Sequence, residues 1–376
     1  MSVRAEFLRL GLRWMVKRRS RREMDAEAIR RSIVTIKRFL PRTPNGLSAH
    51  WLDAGGVAAL RVASAQSRSD RHVLYLHGGA YSFGSPSYYR MFMYRIAMAT
   101  SSQVLCVKYR LAPEHPFPAA LEDSVNAYRW LLDGGAEPSR IAIIGDSAGG
   151  GLAFATLLKL RDDGCALPAA AVALSPWTDL AFTGASNRVN ALADPLLDAD
   201  QAPVFARWYL AGADPRNPYA SPLYGDLTGF PPTLIQVGSD EILRDDAVRM
   251  GDRLRDAGCA VEVEIWPRMP HVWQVFAAVV PEARHAVERI GAFVQETLGD
   301  GQRVANQVGR GAAGATTSLT NCLRSSTPGP ERAAQLEMTS QSNNVGVVPL
   351  KKATECPGRP GTMLHPEHKF KIGRTD

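Results

Sequence analysis

The chain has 376 residues, 45% of them hydrophobic, enough for one large buried core or two modest ones. Its net charge of +7 suggests nucleic acid until it is divided along the chain: residues 1–42 hold 13 Lys/Arg against 4 Asp/Glu, residues 301–376 hold 10 against 5, and the stretch between is left acidic. A phosphate-binding groove needs a basic stripe on the folded body, so nucleic acid is not an expected partner. No run of about eighteen apolar residues occurs, which excludes a spanning helix on length. Leu10–Val16 is broken by Arg13 and followed by Lys17-Arg18-Arg19, a poor secretory segment, so a cytoplasmic location is the expectation. The five cysteines, at 106, 165, 259, 322 and 356, are odd in number and lack paired spacing, which speaks against a zinc site and against a disulfide framework.

Residues 1–45 read as an N-terminal helical segment, with Ile29, Ile33, Ile36 and Leu40 on one face and arginines around it. A helix packed over the mouth of the main domain is the favoured use of that face; a basic amphipathic helix on an anionic membrane is the other. From 46 to 300, apolar runs alternate with helical patterns. Val73–Leu76, Val104–Val107, Ile141–Ile144, Ala171–Leu174, Thr233–Val237 and Val261–Ile265 are the expected strands. Runs this apolar belong to a parallel sheet covered on both faces, whose returns must cross over through helices. The expected class is α/β, a doubly wound, mostly parallel sheet. Residues 301–376, rich in Gly, Ser, Thr, Pro and Asn without periodicity, read as a disordered tail.

The chemistry starts at Ile144-Gly145-Asp146-Ser147-Ala148-Gly149, where a strand turns abruptly into a helix. Gly-x-Ser-x-Gly on such a turn holds the serine in a strained conformation, with small neighbours on either side so that nothing collides. The hydroxyl then projects at the carboxyl edge of the sheet beside a helix N-terminus. A serine hydroxyl needs a base, and the base needs an acid that fixes its tautomer; on this turn the chain order is serine, acid, histidine. Asp240 and Glu241 follow the fifth of these strands, and His271 follows the sixth. Among the other histidines, His77 is expected to anchor its own loop, His115 to serve structurally in a proline-rich loop, and His285 to lie on a solvated helix face. The pair Gly78-Gly79, with Ala80 behind it, strips side chains from backbone N–H groups. Together with the N–H of Ala148 they are candidates for meeting the oxyanion of an acyl-transfer intermediate.

His77-Gly78-Gly79-Ala80, the run Tyr109–Ala120, Gly145-Asp146-Ser147-Ala148-Gly149 and the acid and histidine segments together resemble the hormone-sensitive-lipase-like family of α/β-hydrolase esterases, the bacterial family IV enzymes of the GDSAG type. The resemblance covers residues 45–300 and implies an α/β-hydrolase fold whose N-terminal helices cap the site. It implies an oxyanion hole from the last two positions of the glycine loop plus the residue after the serine. Here Ala80 replaces the usual last glycine, which keeps an N–H but adds a methyl group toward the acyl pocket. The family's acid pattern aligns on Glu241, with Asp240 as the alternative.

The resulting expectation is a serine carboxylic ester hydrolase that works through an acyl-enzyme: Ser147 as nucleophile, His271 as base, Glu241 as the orienting acid, and no metal or organic cofactor. Similarity to monoterpene ε-lactone hydrolases extends the expected substrates from short and medium acyl esters to lactones. A homodimer and a peripheral membrane contact by the basic N-terminus stay open. The rival reading is a catalytically silent ligand receptor on the same fold, which such proteins reach by losing a triad member.

Overall fold

The computed structural model describes residues 1–19, 26, 27, 30 and 46–299. The face expected from Ile29 to Leu40 and the tail from 301 onward lie outside the described residues.

The described chain begins with α1 (Val3–Arg19), then two strands, β1 (Ser48–Asp53) and β2 (Ala58–Ala63). An alternation of strand and helix follows: β3 (His72–Leu76), α2 (Pro86–Thr100), β4 (Gln103–Val107), α3 (Ala119–Asp133), β5 (Ile141–Asp146), α4 (Ala148–Asp162) and β6 (Ala170–Leu174). After an insertion carrying α5 (Ser186–Val189) and α6 (Ala202–Leu210) come β7 (Thr233–Gly238), α7 (Arg244–Asp256), β8 (Val261–Trp266) and α8 (Pro281–Thr297). The strands form one eight-stranded sheet in the order β1-β2-β4-β3-β5-β6-β7-β8. From β4 onward every pairing is parallel, whereas β1–β2 and β2–β4 are antiparallel.

All six expected strands are present, and two were not foreseen. β1 is exposed along nearly its whole length. With neither face buried it carries no apolar period to read.

The parallel strands feed two cores, one on each face. Leu74, Leu76, Ile141 and Ile143 point to a core shared with α3, α4 and α7, while Val73, Tyr75, Ala142 and Ile144 point to another shared with α2 and α8. Successive residues of a strand face opposite sides, so a strand apolar at every position is buried from both. This is the doubly wound α/β arrangement.

The strand order also locates a crevice. The chain runs from β3 outward to β4, then returns past β3 to lay down β5 on its other side. The connections leaving β3 and β5 therefore diverge, and open α/β sheets bind ligands at the carboxyl edge where the order reverses. The segment after β3 begins at His77, and the one after β5 at Ser147.

Candidate active site

Ser147 is held by the sheet itself. β5 registers Asp146 beside Leu174 of β6, and the Ser147 N–H donates to the Leu174 carbonyl (2.8 Å) before the chain enters α4. The turn forces Ser147 to φ 54°, ψ −124°. It is possible only because its flanks lack side chains: a Cβ at Gly145 would stand 2.1 Å from the Gly149 carbonyl oxygen, and one at Gly149 would stand 2.1 Å from that of Leu76.

His271 lies five residues beyond β8 and is buried. Its Nδ1–H donates to Glu241 Oε2 (2.7 Å), which leaves Nε2 to accept from the Ser147 hydroxyl (2.8 Å). Glu241 is fully buried, and its other oxygen accepts from the Gly238 N–H (2.6 Å) and from the Ser175 hydroxyl (2.8 Å). Asp240, one residue earlier, turns away to Arg9 of α1 (3.2 Å). Of the two acids the sequence offered, Glu241 is the one against His271. Burial of His271 disfavours the charged ring, but the Glu241 carboxylate, with Asp194 and Asp146 behind it, outweighs this and raises its pKa above the ordinary value.

The glycine loop differs in one respect from the sequence reading. The N–H of Gly78 is not available to a substrate, because it donates to Asp146 Oδ1 (2.9 Å), and a Cβ on Gly78 would meet the same carboxylate at 2.3 Å. The donors left are the N–H groups of Gly79, Ala80 and Ala148, which have no acceptor among the described residues. Gly79 (φ +122°) must be bare, since a Cβ there would lie 2.0 Å from the Phe83 carbonyl oxygen. Ala80 adopts φ 48° and lines the cavity beside Ser147. His77 anchors this loop as expected: it is buried, its Nδ1 contacts the Gly78 carbonyl (2.8 Å), and its ring stacks on Tyr109 at 4.4 Å. Burial lowers its pKa to about 4, so it is a neutral structural ring. His285 is exposed beside Glu288, and the His115 side chain is exposed too.

Three groups that sequence reasoning did not single out support this constellation. Asp146, inside the quoted motif, accepts from Tyr75 (2.6 Å), Tyr89 (2.9 Å) and Gly78, and so ties the nucleophile turn to the glycine loop. Ser175, at the end of β6 with φ 46°, donates to Glu241 and accepts from the Val272 N–H (3.2 Å), which pins the residue after His271 to the acid. Asp194 accepts from the N–H groups of Leu196, Leu197 and Ile242 (2.9 Å each), fastening the cavity wall to the acid loop. Burial, and then Glu241, push its pKa up to about 6. The only one of the three with a sequence signal was Asp146, through its place in the motif. Asp245 and Asp246 lie in the first turn of α7, and Asp246 also braces the N–H groups of Thr178 and Asp179.

Ser147 and His271 open on a cavity of about 460 Å³ with mainly apolar walls, among them Phe83, Trp177, Leu196, Leu197 and Phe205. A nearby anchor comes from the N-terminal segment: Arg30 donates to the carbonyls of Ser82 (2.8 Å) and Ala112 (2.7 Å) and pairs with Glu114 (2.8 Å).

Residues 73–275 match the family model described as the alpha/beta hydrolase fold. The chain belongs to the α/β-hydrolase fold family. This hydrolase is 51% identical over 231 residues to an acetyl-hydrolase of Streptomyces hygroscopicus, covering 61% of the present chain and 77% of the relative. Among solved structures it is similar to an esterase from the bacterial hormone-sensitive lipase family (43% identity, TM-score 0.75, covering 80% of this chain and 99% of that one). It is also similar to the esterase EstE5, in a crystal soaked with p-nitrophenyl butyrate (37% identity, TM-score 0.74, covering 80% and 100%). The hydrolase is thus of carboxylesterase type and acts on carboxylic esters. None of its described helices is long and apolar enough to cross a membrane.

Proposed function

We propose that this hydrolase cleaves short- to medium-chain acyl esters, lactones included, through an acyl-enzyme on Ser147. The Ser147 oxygen attacks the ester carbonyl as its proton passes to His271 Nε2, and Glu241 holds the ring in the tautomer that can take it. Charge developing on the carbonyl oxygen meets the N–H groups of Gly79, Ala80 and Ala148 at the start of α4. Collapse breaks the bond to the alcohol, which leaves with the proton from His271. Water then attacks the acyl-enzyme by the same route in reverse. Residues 46–300 act as the catalytic unit and residues 1–45 as a cap, the latter supported by the Arg30 contacts beside the glycine loop.

The observation that carries this reading is the pair of hydrogen bonds in series, Ser147 to His271 (2.8 Å) and His271 to Glu241 (2.7 Å), opening on an apolar cavity. The acyl length is supported by the cavity volume, by the acetyl-hydrolase relative and by the butyrate ester soaked into EstE5. The test is a panel of p-nitrophenyl esters from acetate upward, plus aliphatic lactones, on the parent and on Ser147→Ala, with intact-mass detection of an acyl adduct. The expected result is turnover that is highest at short to medium chains, an adduct on the parent, and neither with Ser147→Ala. Binding without serine-dependent release would instead make the protein a receptor.

A further inference from the structure

Helix α1 carries two apolar rows. Ala5 is buried and Leu8 half-buried against the core shared with α8. The same side is pinned by polar contacts: Ser2 with Glu282, Arg9 with Asp240 (3.2 Å), and Glu6 with Arg268 (3.1 Å). On the opposite side Val3, Phe7, Leu10 and Trp14 are between 55% and 72% exposed. They recur at i, i+4, i+7 and i+11, a spacing that aligns them in one row along the helix. Singly exposed apolar residues are ordinary, whereas four large ones in line, an aromatic pair among them, mark a surface that meets something.

Charge selects the occupant. The helix contains six Lys/Arg and one acid, Glu6. Glu6 is paired with Arg268 and Arg9 with Asp240, so the helix keeps a strongly positive net charge. An apolar row carrying a tryptophan in a cationic helix fits an anionic lipid surface, where the row enters the interface and the cations meet the headgroups. A second copy fits poorly, because pairing row to row would bring like charges together.

We propose that α1 docks the protein on anionic bilayers through Val3, Phe7, Leu10 and Trp14. The docked helix is bonded directly to the loops of the candidate site, since Asp240 adjoins Glu241 and Arg268 lies three residues before His271. Esters in the lipid surface are therefore presented to those loops. This consequence rests on the proposed chemistry, while the docking is read without turnover.

The experiment is co-sedimentation of the full chain with vesicles of equal parts phosphatidylcholine and phosphatidylserine, against phosphatidylcholine alone. Binding is expected on the anionic vesicles only, falling as salt is raised. Phe7→Ser with Trp14→Ser is expected to weaken it about tenfold or more, with hydrolysis of p-nitrophenyl butyrate in solution unchanged. Quenching of tryptophan emission by brominated lipid, compared between the parent and Trp14→Phe, reads the same face with the fold left intact. The proposal is overturned by absence of binding to the anionic vesicles, by a double variant that binds as well as the parent, by quenching that survives Trp14→Phe undiminished, or by a parent dimer that the double variant dissociates.

Discussion

Replacing Glu241 with glutamine changes one atom in a fully buried group, and the surroundings dictate how the amide must lie. The Gly238 N–H points at Oε1 from 2.6 Å and, being backbone, cannot reverse its polarity. The amide oxygen must stay there, because an NH₂ group in its place would oppose the N–H and leave both unpaired in the interior. The NH₂ is then directed at His271 Nδ1, where Oε2 had been at 2.7 Å. Facing a donor, Nδ1 must become the acceptor, which moves the ring proton to Nε2. His271 then donates toward Ser147 and cannot take its proton. Inverting the tautomer of a triad histidine costs about 10⁴ in kcat, or about 5 kcal/mol of transition-state stabilisation. KM is expected to change little, because Glu241 does not touch the substrate. Asp240→Asn is the control: it weakens a partly exposed pair with Arg9, worth at most about 1 kcal/mol of stability, and leaves kcat within about threefold. Steady-state kinetics on p-nitrophenyl butyrate separate the two. Equal, small losses in both variants would refute the assignment of the acid and the tautomer argument with it.

The remaining predictions concern pH and the supporting groups. Only the neutral ring of His271 accepts a proton, and its pKa is raised, so kcat/KM should fall on its acid side with a midpoint above about 6.5. In Glu241→Gln the charge that lifts the pKa is gone while burial remains, so the midpoint should move down; a limb that stays in place contradicts the coupling. Ser175→Ala removes a donor to the buried Glu241 carboxylate and orphans the Val272 N–H. It should lower the stability measured by equilibrium denaturation by about 1.5–3 kcal/mol, and an unchanged midpoint would mean that the histidine loop is held without Ser175. Asp146→Ala strands the hydroxyls of Tyr75 and Tyr89 and the N–H of Gly78, so a loss of about 3 kcal/mol and a fall of about a hundredfold in kcat are expected. Asp146→Asn keeps an oxygen for Gly78 and should be much milder. Equal activity in the alanine and asparagine variants would show that the carboxylate does not position the glycine loop.

Much of the site was legible because its requirements are local. A strand that ends in Gly145 and restarts as a helix after Gly149 leaves few conformations for Ser147, and the positive φ observed there is what such a turn demands. Gly79 was legible for the same reason: only a residue without Cβ fits against the Phe83 carbonyl. Gly78 shows where that logic ends. Sequence offers a bare N–H, but whether it is free depends on Asp146, 68 residues away, whose carboxylate is turned onto it by two tyrosines from β3 and α2.

The sequence by itself determined the alternation of buried strands and crossover helices, and hence that the loops bearing Ser147, Glu241 and His271 share the carboxyl edge of one sheet, since every parallel strand delivers its C-terminus to the same side. It did not determine β1, whose exposed faces carry no period, nor the choice between two adjacent carboxylates. Neighbouring residues point in different directions, and which one reaches His271 depended on partners outside the segment: Gly238 and Ser175 closing on Glu241, and Arg9 of a distant helix drawing Asp240 away. Chain order can place a group at the right edge, but only packing decides which way it faces.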